Sequence, residues 1–174
     1  MQNKNRISKL ILSSIFLAIS YVLPFFTAQI PEIGSMLCPL HIPVILCGFI
    51  CGWSWGLSVG FIVPLFRSLT LGMPPLYPTA ICMSFELATY GLLAGLFYKL
   101  LPKKKIFTIV TLISSMIIGR IIWGITMAIA LGINGSSFTF DAFITAAFLN
   151  SSIGIIIQII LIPMIIAIYE KFCK

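Results

Sequence analysis

The chain has 174 residues, of which 60% are hydrophobic and only 9% charged; its mean hydropathy is +1.14 and its formal net charge +7. Soluble proteins average about 25% charged residues, so the composition excludes a soluble domain and predicts an all-α integral membrane protein, a single membrane domain over residues 1–174. The basic residues stand at the ends of apolar runs rather than along one stripe. That pattern excludes a nucleic-acid surface and sets the orientation of the chain in a lipid membrane.

The N-terminal MQNKNRISKL and the apolar run after it have the outline of a signal peptide, with Ala18-Ile19-Ser20 as a small-residue site. The run continues past Ser20 to Phe25 and Phe26, so it reads as a retained span over 7–26. Ser14 and Ala18 lie one turn apart on it, a small-xxx-small spacing that lets another helix approach closely. Residues 27–39, with Glu32, Pro31 and Pro39, read as a loop. A short span over 40–51 follows, Pro43 suiting its first turn. Trp53 and Trp55 mark a turn at the headgroup level, and the next span, 56–70, carries Pro64, an expected kink. Gly72, Pro74, Pro75 and Pro78 stop the helix across 71–78. Spans over 79–101, 106–131 and 142–169 complete the pattern, with Asp141 the expected N-cap of the last.

The spans 40–51 and 56–70 are short for about 30 Å of hydrocarbon, so they form either two short spans or one re-entrant hairpin. The charges choose between them. With six transmembrane helices Lys4, Arg6, Lys9, the lysines at 99–105, Lys171 and Lys174 all fall on one side, which predicts cytoplasmic N- and C-termini. A hairpin would place the 99–105 cluster opposite Lys4, Arg6 and Lys9. The loops at 27–39, 71–78 and 132–141 then face outward.

An intramembrane charge costs roughly 2.5–3.5 kcal/mol on insertion scales, so such residues face the protein interior or a cavity. The stretch Phe66–Gly95 puts Arg67 before its proline-rich connection and Glu86 after it. His41, Arg67, Glu86, Arg120 and Asn150, from five spans, fall in the outer half of the membrane and form the candidate substrate-binding set. Each also has a structural reading. Arg67 can reach headgroups from a helix end, Glu86 and Arg120 can neutralise one another, His41 can start an interfacial helix, and Asn150 can bond a neighbouring helix.

Other chemistry is missing. There is no GxxxxGK[ST], no HExxH and no GxSxG, so nucleotide, zinc-protease and serine-hydrolase sites are not encoded in recognisable form. The five cysteines, Cys38, Cys47, Cys51, Cys82 and Cys173, form no CxxC pair and read as buried apolar residues rather than metal ligands. No metal, cofactor or catalytic residue is predicted.

The stretch from His41 to Lys104, HIPVILCGFICGWSWGLSVGFIVPLFRSLTLGMPPLYPTAICMSFELATYGLLAGLFYKLLPKK, with the basic N-terminus and six spans, resembles the substrate-binding (S) components of energy-coupling factor (ECF) vitamin transporters, the pantothenate-type group in particular. The resemblance implies a non-enzymatic, multi-pass subunit of the bacterial cell membrane that binds a vitamin beneath outward loops. It implies as partners a transmembrane coupling protein and two ATPase subunits. Ser14 and Ala18 match the spacing of the family's AxxxA-like docking pattern, with serine in place of the first alanine. Two arginines against one glutamate favour an anionic solute: pantothenate first, a pyridoxine-like or other B-vitamin precursor second. The alternatives are a stand-alone solute facilitator or channel, which would conduct without partners, and an intramembrane enzyme, for which Glu86 with His41 is the one candidate pair.

Overall fold

The structure is a computed structural model that describes residues 2–27, 36–102, 104–133, 135 and 138–172. Glu32, Lys103, Cys173, Lys174 and most of the expected 27–39 loop lie outside the described residues, as does the side chain of Lys4. Every regular element among the described residues is helical. Helix α1 spans Gln2–Val22 and runs into a 3-10 turn, Leu23–Thr27; α2 spans His41–Cys51 and α3 Trp53–Leu71. A π turn at Leu76–Ala80 leads into α4, Ile81–Leu100, and α5 spans Lys105–Ile133. A one-turn helix α6, Phe140–Ile144, passes through a π turn, Thr145–Leu149, into α7, Ser152–Phe172.

Five of these segments are long and apolar enough to cross a membrane: Arg6–Phe26, Trp53–Leu71, Leu76–Leu100, Lys105–Ile133 and Ser152–Phe172. The expected short span at 40–51 is different in kind. At 11 residues α2 is about 16 Å long, near half of a hydrocarbon core. It is apolar all round, which is the pattern of a helix enclosed by others, and nine of its residues are buried. The last expected span, 142–169, is divided at Asn150 and Ser151 by the π turn. Thr139 rather than Asp141 caps its first turn, its hydroxyl accepting from the Ala142 N–H at 3.3 Å, with Asp141 inside the turn.

Glycines set the tightest packing. A side chain at Gly91 of α4 would stand 2.2 Å from the Gly56 carbonyl oxygen of α3, and one at Gly48 of α2 would stand 2.4 Å from the Gly91 oxygen. Backbone therefore lies on backbone where α2, α3 and α4 meet, an approach that only a missing Cβ permits. Around this seam Val44, Ile45, Leu87, Tyr90, Leu112 and Ile162 form the core. Gly52, at φ 103, reverses the chain between α2 and α3.

The helix ends sort into two groups. Tyr98 of α4 donates its hydroxyl to Glu170 of α7, and Phe49 of α2 meets the Tyr98 ring edge-on at 5.1 Å, so these C-terminal ends share one end of the bundle with the lysines. At the other end the Tyr77 hydroxyl, ahead of α4, donates to the Ala130 carbonyl of α5. Ser14 and Ala18 are exposed on α1, whereas Ser13 and Ser20 face inward.

Candidate functional site

At the end of the bundle opposite the lysines, four elements deliver polar side chains to one buried point. Glu86 and Tyr90 sit one turn apart on the inner face of α4, which the i, i+4 spacing requires. Glu86 Oε1 accepts from Tyr90 Oη at 2.9 Å, pairs with Arg120 Nη1 of α5 at 3.1 Å, and contacts His41 Nε2 of α2 at 3.4 Å. A carboxylate oxygen only accepts, so the His41 nitrogen facing it carries the proton. Arg120 Nη2 donates to Ser151 Oγ at the head of α7, 3.0 Å away, and the Ser151 hydroxyl in turn donates to the Ala147 carbonyl at 2.7 Å. Cys38 Sγ also lies 3.6 Å from Arg120 Nη2.

Local structure explains the convergence. His41 opens α2, and its backbone N–H bonds the Cys38 carbonyl at 3.1 Å, so the turn before α2 carries both residues inward. Cys38 takes φ 47, a left-handed value uncommon outside glycine, a conformation that recurs at functional sites. Gly119 leaves room for the Tyr90 ring: a Cβ there would stand 2.2 Å from Tyr90 Cε1. Glu86 and Tyr90 are at most 1% exposed, His41 3% and Arg120 7%. Burying an ion pair this thoroughly needs further hydrogen bonds to offset desolvation, and Tyr90, His41 and Ser151 supply them. Two polar atoms of the group have no partner among the described residues, His41 Nδ1 and Arg120 Nε.

Of the five residues expected to form the site, the structure brings His41, Glu86 and Arg120 together. Arg67 is elsewhere. It is 3% exposed, its Nη1 donates to the Tyr21 carbonyl at 2.5 Å, and its guanidinium lies 5.7 Å from the ring centres of Tyr21 and Phe25. The guanidinium closes the C-terminal end of α1, where free carbonyls and the helix dipole favour a cation. The surplus positive charge expected from two arginines is therefore absent from the cluster, which balances Glu86 against Arg120. Asn150 is exposed, and its neighbour Ser151 is the residue turned inward.

Tyr90, Ser151 and Cys38 were not singled out from the sequence. Tyr90 had a readable signal, its four-residue spacing from Glu86. Ser151 had none, because the π turn shifts the facing of α7 by a residue. No group of three or more metal-ligating side chains forms among the described residues.

An ion pair enclosed by hydrogen-bonding side chains, inside helices whose outer faces are apolar, defines a multi-pass membrane protein with a buried polar centre. The chain belongs to the family described as ECF transporter, substrate-specific component, which it matches over residues 8–166. It is thus a substrate-binding subunit of a transporter and not an enzyme. No curated protein and no solved structure matches it.

Proposed function

We propose that this chain captures a small water-soluble vitamin or related solute from outside the cell and passes it to a separate coupling module. The module comprises a transmembrane coupling protein and two ATPase subunits, and the chain works in the cell membrane with both termini cytoplasmic, the short enclosed α2 counting as the sixth span beside the five long ones. The binding pocket is centred on His41, Glu86 and Arg120, with Tyr90 and Ser151 holding them in place. The observation that carries this reading is the pair of unpartnered atoms, His41 Nδ1 and Arg120 Nε, in an otherwise satisfied buried cluster. Leaving a buried polar atom unpaired costs about 1–3 kcal/mol, which a ligand supplying the missing partners removes.

Arg120 Nε can only donate, so it calls for an acceptor such as a carboxylate oxygen. His41 Nδ1 accepts when the ring is neutral and suits a hydroxyl or amide N–H. A solute with a carboxylate and neutral hydrogen-bonding groups meets both needs; within the pantothenate-type group, pantothenate is the first choice and another carboxylate-bearing B-vitamin precursor the second. Arg67 serves the end of α1 in this reading, and Asn150 stays outside the pocket. Ser14 and Ala18, exposed on α1, form the face that meets the coupling protein.

The test is to purify the protein from its native membrane, denature it, and identify the released molecule by mass spectrometry. A carboxylate-bearing vitamin or precursor is expected; a cation or no solute refutes the reading. Ala18→Trp separates the two faces: uptake should be lost and solute binding kept. Lost binding would place α1 in the pocket.

A further inference from the structure

Beside the polar cluster α5 and α7 part. Ile113, Met116 and Ile117 of α5, Phe148 of the π turn, and Ile155 and Ile159 of α7 enclose a cavity of about 90 Å³. Its wall is apolar throughout, and Arg120 contributes only its aliphatic stem. Ile113, Ile117 and Phe148 keep 39%, 48% and 37% of their surface exposed, so the cavity is open along the lateral face of the bundle. Arg120 thus belongs to two environments. Its stem lines an apolar cavity, while its head is held by Glu86 and Ser151 with Nε unpartnered.

We propose that the substrate carries an apolar arm that occupies this cavity against the Arg120 stem while its acceptor group engages the head of the same arginine. The inference rests on the reading that the cluster binds a solute, and it adds the chemical class: an amphiphilic small molecule, not one polar over its whole surface. The polar end alone selects weakly, because many solutes offer an acceptor. Length and shape of the arm supply the discrimination, since the α5–α7 cavity rewards apolar surface and leaves a polar or charged arm without a hydrogen-bonding partner.

The test uses the full chain in phosphatidylcholine nanodiscs, with empty discs as reference. The probes are straight-chain carboxylic acids from acetate to heptanoate, titrated calorimetrically beside the matching primary amides. Each added methylene should tighten binding roughly fourfold until the cavity is full, then no further. Ile155→Trp fills the cavity from α7 and Ile117→Trp from α5, so one can be read if the other fails to fold; either should flatten the series.

A series flat in the wild type overturns the proposal, as does failure of both series to bind. A slope that survives in the filled variants assigns the chain-length effect to the bilayer and overturns it equally. Amides that climb while acids do not bind keep the apolar arm and remove the carboxylate from the proposed substrate, so the two readings fail separately.

Discussion

Glu86→Gln isolates the ion pair with almost no change of shape. In the native protein Oε1 is the shared acceptor for Tyr90, Arg120 and His41 at 2.9, 3.1 and 3.4 Å. The amide oxygen can still accept from Tyr90 and His41, though without the charge that roughly doubles such bonds. Arg120 fares worse: it loses the one carboxylate that it meets among the described residues and stays buried. Removing one partner of a buried pair costs about 3–5 kcal/mol. In a chain of this size each kcal/mol shifts Tm by roughly 2–4 °C, so a fall on the order of 10 °C is expected. The buried thiols of Cys38, Cys47, Cys51 and Cys82 provide the readout, since a thiol-reactive fluorophore reports their exposure as the detergent-solubilised protein unfolds. Adding Arg120→Gln removes the stranded cation and should restore at least half of the loss. A single variant as stable as the wild type, or a double variant as unstable as the two losses summed, would refute the claim that these charges sustain one another.

Gly91→Ala should sharply reduce the yield of folded protein on size-exclusion chromatography, because the new methyl meets the Gly56 backbone and no side chain can swing aside. Gly132→Ala, with nothing within 4 Å, should be tolerated. Arg67→Gln should raise hydrogen exchange around residues 21–27 and leave affinity for the natural solute within about twofold. A loss of one to two decades confined to a carboxylate ligand, its amide being unaffected, would instead put Arg67 in the pocket. Tyr77→Phe removes the hydroxyl that holds the 72–78 connection to Ala130 and should speed exchange there; unchanged exchange would show that the prolines suffice.

The helical membrane class and the family were legible because they rest on features spread over the whole chain. The site was legible only in part, and the limit was geometric. Intramembrane charge marks a residue as unusual without saying which neighbour it meets. Glu86 and Arg120 face each other, whereas Arg67, equally conspicuous in sequence, turns to the carbonyl at the end of α1. Asn150 and Ser151 differ by one position, about 100° around a helix, and the π turn ahead of them settles which faces in. Cys38 read as a buried apolar residue and Tyr90 was not singled out; both are buried, and their polar atoms matter only because of what lies beside them. The shortness of α2 was visible, but its enclosure by other helices depends on glycines in α3 and α4 that carry no charge or motif.

That glycine seam has a consequence for which residues can change. Where three backbones touch, a side chain added at Gly48, Gly56 or Gly91 would run into backbone, so α2, α3 and α4 form a frame that tolerates little change at those positions. The α5–α7 wall carries no such constraint. Its isoleucines line a cavity open on the lateral face, and exchanging one for a larger or smaller apolar residue reshapes the cavity without moving the frame. Glu86 stands on the glycine-packed frame and Ser151 at the head of α7, with Arg120 bridging them. The residues that shape the cavity and the glycines that set the seam therefore stand on different helices, so one group can change without the other.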